Sequence, residues 1–277
     1  MPAAAALSNK KEVAFPAASL RGTGLRVLAA ALLLASTASC SKPGATESGQ
    51  PVEIGVRIEH QVNGQPFALG VDYPQPEQAP LRVTRLNYYL GRFRLQHEDG
   101  RWFSSAAPDD SPGDYRLIDV AQAPSLQFGA IRVPPGRYKT LEFLVGVDEA
   151  RNAGGAQTGA LDPAGGMFWT WKSGYIFFAL EGHSTASGDS DGAITFHIGG
   201  DARLARTLVL PLGPDALVVK SGEAPVVQLR ADVGRFFEGL PLATTHTVMS
   251  PDGADGLADR YAGWFSVGRA STGTGPS

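Results

Sequence analysis

Val52-Glu53-Ile54-Gly55-Val56-Arg57-Ile58-Glu59-His60 alternates without a break, and that alternation decides the fold class. Successive side chains of a strand point to opposite faces, so Val52, Ile54, Val56 and Ile58 share one buried face. His60 continues their parity and points where the core residues point. A histidine at the inner end of a strand is either a hydrogen-bonded core residue or a ligand. Asn63-Gly64 then supplies a hairpin turn signal.

The same period returns downstream. Val83 to Leu95 reads as a strand pair or one bent strand, with Leu86, Tyr88 and Leu90 in one parity and Phe93 and Leu95 in the other. The slip at Gly91-Arg92 predicts a bulge. His97-Glu98-Asp99-Gly100 marks a hairpin in which His97 is expected to be exposed. After a turn at Pro134–Tyr138, Leu141, Phe143, Val145 and Val147 alternate again. Ile194, Phe196 and Ile198 face one way and His197 the other, so His197 is surface decoration or part of a site on that face. Thr207 to Leu212 and Val226 to Val233 read as further strands. Leu257, Tyr261 and Trp264 fall at i, i+4 and i+7, a short helix over roughly 254 to 265. Short strands separated by turn signals predict an all-β domain, a β-sandwich of short antiparallel strands with a short C-terminal helix.

Composition agrees. The 277 residues are rich in Gly and Pro and poor in charge. Residues 1–40 hold Lys10, Lys11, Arg21 and Arg26 against Glu12, so of the chain's net −3 the remainder carries −6. An acidic domain without a Lys/Arg cluster argues against nucleic acid as a partner. Val27 to Ala35 is an apolar run too short to span about 30 Å of hydrocarbon, and it ends in Ser36-Thr37-Ala38-Ser39-Cys40. Cys40 is the single cysteine of the chain. The arrangement is similar to a bacterial lipoprotein signal, in which that cysteine is lipidated. Residues 1–40 are therefore expected to be a lipoprotein-type signal peptide and 41–50 a flexible tether. A β-sandwich domain follows over 51–270, with a disordered tail over 271–277. Export fits a chain with no thiol left in its domain.

Met167-Phe168-Trp169-Thr170-Trp171-Lys172-Ser173-Gly174-Tyr175 holds two of the four Trp residues. On one strand Trp169 and Trp171 would stand side by side, as a core pair or as part of a site. The chain reaches them through a small, polar loop between Asp148 and Gly166 and leaves through Glu181-Gly182-His183. Asp189-Ser190-Asp191-Gly192 has part of a calcium-loop pattern without its downstream Glu, and reads as a turn. No nucleophile elbow, metalloprotease motif or acid/base pair is evident, so no catalytic residue is expected.

Several of these pieces together resemble the MbnP-like copper-binding family of bacterial exported proteins. They are Glu59-His60-x-Val62-Asn63-Gly64, Val83-Thr84-x-Leu86-x-Tyr88-Tyr89, Pro135-Gly136-x-Tyr138 and Met167-Phe168-Trp169-x-Trp171-x-x-Gly174-Tyr175. Phe196-His197-x-Gly199-Gly200, His246-x-Val248-Met249 and Ala258-Asp259-x-Tyr261-Ala262-x-x-Phe265 complete the match. The resemblance implies a copper-binding protein without turnover of its own, whose relatives use histidines and a Trp oxidised to kynurenine. It implies His60, His197 and His246 as metal ligands and Trp169 or Trp171 as the modified residue; nearness to the Trp stretch alone adds His183. It also implies a di-haem cytochrome c peroxidase-like partner. With the anchor at Cys40, the expected location is the periplasm, at the outer membrane.

Neutral imidazole is a good copper ligand, and copper heads the divalent affinity series at nitrogen sites. The competing reading is a non-metal interaction module of the envelope, in which the histidines are structural and the aromatics are core.

Overall fold

The computed structural model describes residues 49–75, 78–104, 114–170 and 172–273. The chain divides into Met1–Gly44 and Ala45–Ser277, and the described residues all belong to the second unit. The signal peptide, most of the tether, Cys40 and Trp171 lie outside the described residues. No helix among those described is long and apolar enough to cross a membrane.

The first strands are β1 (Val52–Val62), β2 (Gln65–Pro66), β3 (Asp72–Gln75) and β4 (Gln78–His97). They are followed by β5 (Trp102–Ser104), β6 (Arg116–Asp119), β7 (Gln127–Val133) and β8 (Gly136–Val145). Helix α1 (Glu149–Ala153) opens the loop that leads to β9 (Phe168–Thr170), β10 (Gly174–His183) and β11 (Ala193–Gly199). Then come β12 (Arg206–Pro211), β13 (Leu217–Val219), β14 (Ala224–Asp232) and α2 (Val233–Phe237). The chain closes with β15 (Thr247–Val248), α3 (Asp255–Gly263) and β16 (Phe265–Gly273).

These strands form two sheets. The smaller has the order β16-β14-β1-β2, with β7 also on β1; the larger has the order β12-β8-β4-β10-β11-β15. Their inner faces meet in one hydrophobic core, as in a sandwich. Ring contacts cross between the sheets, Tyr88 and Phe143 of the larger meeting Phe265 of the smaller at 5.9 and 5.4 Å.

The sequence patterns map onto this directly. Val52, Ile54, Val56, Ile58 and His60 are buried, while Glu53, Arg57 and Glu59 are exposed. Asn63 and Gly64 have φ of 51° and 79°, the left-handed pair that a two-residue hairpin turn demands. The bulge falls at the expected place. Arg92 has φ 53°, and the β4–β8 register shifts between Gly91 and Arg94. Helix α3 buries Leu257, Ala258 and Tyr261.

The all-β reading holds, with differences in detail. Of the two alternatives for Val83 to Leu95, the single bent strand is the one formed: β4 runs for 20 residues through the bulge. Two pairs are parallel, β1 with β14 and β11 with β15. β16 extends three residues past position 270, so Ser271–Gly273 are strand and not tail. His97 is half-buried and not exposed. Its ring packs edge-on against Tyr138 and Phe103, and Nδ1 lies 3.0 Å from Asp99.

Candidate functional site

The Trp-rich stretch is a hairpin and not one strand. β9 ends at Thr170, Ser173 N donates to Thr170 O, and the chain returns as β10, pairing Gly174 with Thr170 and Tyr175 with Phe168. A strand reading missed this because glycine at the reversal is the only local sign of it. Gly174 has φ 71°, and a Cβ there would fall 2.3 Å from Asn152 Oδ1. That oxygen accepts from Tyr175 N at 2.9 Å, while Asn152 Nδ2 donates to Gly200 O at 3.0 Å. Asn152, on the helix that opens the loop, thus fastens the hairpin to the end of β11. Trp169 is half-buried there, its ring 3.1 Å from where a Gly200 Cβ would lie. Gly174→Ala is expected to cost about 2 kcal/mol by combining strained φ with this collision. Urea unfolding measures it, and a loss near zero would mean that Asn152 is not the clamp.

His197 stands on the outer face of the large sheet, opposite the buried Ile194, Phe196 and Ile198. Its Nε2 lies 2.8 Å from Glu181 Oε1, and Arg85 Nη1 donates to the same oxygen at 2.8 Å. Adjacent strands β11, β10 and β4 supply the three residues. Partial burial works to raise the Glu181 carboxyl, but the hydrogen bonds from His197 and Arg85 outweigh it and hold the group below its ordinary range. Arg85 also donates to Gly166 O at 3.1 Å, and its Nη2 lies 3.7 Å from Met167 Sδ, which ties the network to the start of the hairpin. A carboxylate on one ring nitrogen is how metal-holding imidazoles are oriented, and it leaves Nδ1 of His197 as the donor atom. Glu181 and Arg85 carried no motif in the sequence; only the strand register brings them to His197.

His246 lies one residue before β15, the strand paired with β11, and its Nδ1 is 3.2 Å from Leu242 O. His183, at the end of β10, lines a surface pocket with Asp189. Asp189 is held below its ordinary range first by the backbone N–H groups of Asp191 and Ala193, with His246 and His183 adding a smaller electrostatic pull. Its carboxylate closes a turn, as the sequence suggested.

His60 is placed elsewhere. It belongs to the smaller sheet, is 8% exposed, and its Nε2 lies 2.8 Å from the hydroxyl of the fully buried Tyr88. Burial lowers the imidazole pKa to about 4, so the ring is neutral. Among the described residues the Tyr88 hydroxyl has no second partner. A proton on Nε2 would therefore leave the phenol proton buried without an acceptor, at about 1–3 kcal/mol. The tautomer with the proton on Nδ1 and Tyr88 as donor avoids that cost.

The expected convergence of His60, His197 and His246 is thus not what the fold presents. Among the described residues no three His, Cys, Asp or Glu side chains are grouped so as to hold a metal ion. His60 lies on the inner side of the smaller sheet, against Tyr88, and His197 on the outer side of the larger one, so the larger sheet stands between them.

A family model described as MbnP matches residues 51–250. The chain belongs to the MbnP family. The match takes in β1 to β15, and with them His60, Trp169, Trp171, His197 and His246. Among solved structures, MbnP from Methylosinus trichosporium is similar at a TM-score of 0.46 and 17% identity, over 81% of this chain and 99% of that one. Comparison with curated proteins gives no match.

Proposed function

We propose that this chain is an exported, copper-binding MbnP-family protein with no catalytic turnover of its own. Family membership over residues 51–250 carries the reading. Local geometry supports His197 as the first ligand, because Glu181 orients its ring and Nδ1 is left to bind. His246, which the family resemblance offers as the second, sits level with Ile194 on the edge beside β11 and has to move to reach His197. Binding then has to draw it off Leu242 O, so metal and loop conformation are coupled. His60 is left out of this set because a metal on Nδ1 would displace the proton that its bond with Tyr88 requires.

In the same proposal Trp169 or Trp171 is oxidised to kynurenine by a di-haem cytochrome c peroxidase-like partner. The protein is held at the periplasmic side of the outer membrane through lipidated Cys40. A second reading, a non-metal interaction module, is favoured by the absence of a preformed metal-holding group among the described residues.

Competition titration with copper separates the two. The proposal predicts one copper per chain, lost in His197→Ala and weakened about 10–100-fold in Glu181→Gln. A wild-type protein that takes up no copper supports the module instead. Mass spectrometry after co-expression with the partner, on Trp169→Phe and Trp171→Phe separately, identifies the modified residue. Modification that survives in both variants contradicts the assignment.

A further inference from the structure

The aromatic core between the sheets contains a polar pair that the copper reading does not use. Tyr88 is fully buried among rings: Trp264 lies edge-on at 5.5 Å between centroids, Phe265 at 5.9 Å and Phe178 at 6.4 Å. Its hydroxyl meets His60 Nε2 at 2.8 Å, a separation across which a proton transfers directly. We infer that Tyr88 and His60 form a proton-coupled redox pair inside the sandwich. A high-potential one-electron oxidant removes one electron from the Tyr88 ring. The phenolic O–H bond breaks and the proton passes to His60 Nε2. The products are a neutral tyrosyl radical, an imidazolium and the oxidant reduced by one electron; a one-electron reductant reverses every step.

Three features of the surroundings support this assignment. An unneutralised phenol radical cation would be a bare charge among apolar rings, so loss of the electron requires an adjacent base. His60 is that base, neutral and aligned by its existing hydrogen bond. Trp264 is 1% exposed and its indole Nε1 has no hydrogen-bond partner among the described residues. An oxidised Trp264 therefore has no base of its own and passes its deficit to Tyr88, whose proton has somewhere to go. Finally, His60 lines a surface groove with Phe67, Leu69, Val120 and Leu126, so the imidazolium forms at the edge of the core and not at its centre. Trp264 and Tyr88 thus read as a short relay that ends at a site able to hold an oxidising equivalent.

The test uses the full chain as the cell processes it, stripped of metal by a chelator so that the copper reading is not involved. Photogenerated tris(bipyridine)ruthenium(III) serves as oxidant, with transient absorption and electron paramagnetic resonance as readouts. Wild type is expected to give a neutral tyrosyl radical whose formation slows in deuterated water. Tyr88→Phe, which removes the hydroxyl and keeps the ring, is expected to lose that signal. His60→Gln, which keeps an acceptor but is a far weaker base, is expected to slow radical formation on the order of 100-fold. Equal radical yield and rate in wild type and Tyr88→Phe would overturn the proposal and leave a plain core hydrogen bond. So would the absence of a solvent isotope effect in wild type, which needs no variant to fold.

Discussion

Phe178→Ala is expected to lower the unfolding free energy by about 4 kcal/mol, near the top of the range for a buried aromatic truncated to alanine. Phe178 sits on β10 with no exposed surface, stacked on Tyr261 at 5.0 Å and on Phe236 at 5.2 Å, with Trp264 edge-on at 5.3 Å. Those partners come from α3, α2 and the β16 entry, so one ring holds both helices against the large sheet. Truncation leaves a cavity walled by rigid rings, which cannot collapse to fill it. Against a typical total of about 5–15 kcal/mol, such a loss brings the domain close to unfolding. Urea titration should show a lower midpoint at unchanged slope. A loss under about 1 kcal/mol would mean that the helices are not docked through this residue.

Stability should also fall as the pH drops from about 6.5 towards about 4, and His60 is the cause. The free imidazole titrates near 6.5, and the folded one near 4 because burial penalises its charged form. Between those values the unfolded chain binds a proton that the folded chain does not, so acid favours unfolding. At about 1.4 kcal/mol per pH unit the window amounts to roughly 3 kcal/mol, fully lost below the folded value. His60→Gln removes the titrating group and should flatten the profile across that window. An equally steep profile in the variant would assign the effect to other groups.

Much of the fold was legible because half-buried strands declare themselves by period two. β1, β8, β11 and β14 follow their patterns closely, and the bulge at Arg92 was visible as a change of parity. Pairing was not legible. Nothing in Val226 to Val233 says that it runs parallel to β1, since direction depends on the connection and not on the strand. The site was legible in part. Parity gave the correct face for His60 and for His197, but the residues that govern their chemistry, Tyr88 and Glu181, lie 28 and 16 positions away and reach them across strand pairs or between sheets. The Trp stretch misled because three residues of strand and a reversal look, in sequence, like a longer strand.

The most direct measurement of the copper assignment is anomalous diffraction at the copper edge from crystals grown with one equivalent of the metal. One peak per chain is expected about 2 Å from His197 Nδ1, as for imidazole bound to comparable metals, with His246 drawn in beside it. A peak on His60 with His197 still bound to Glu181 alone, or no peak at all, would contradict it.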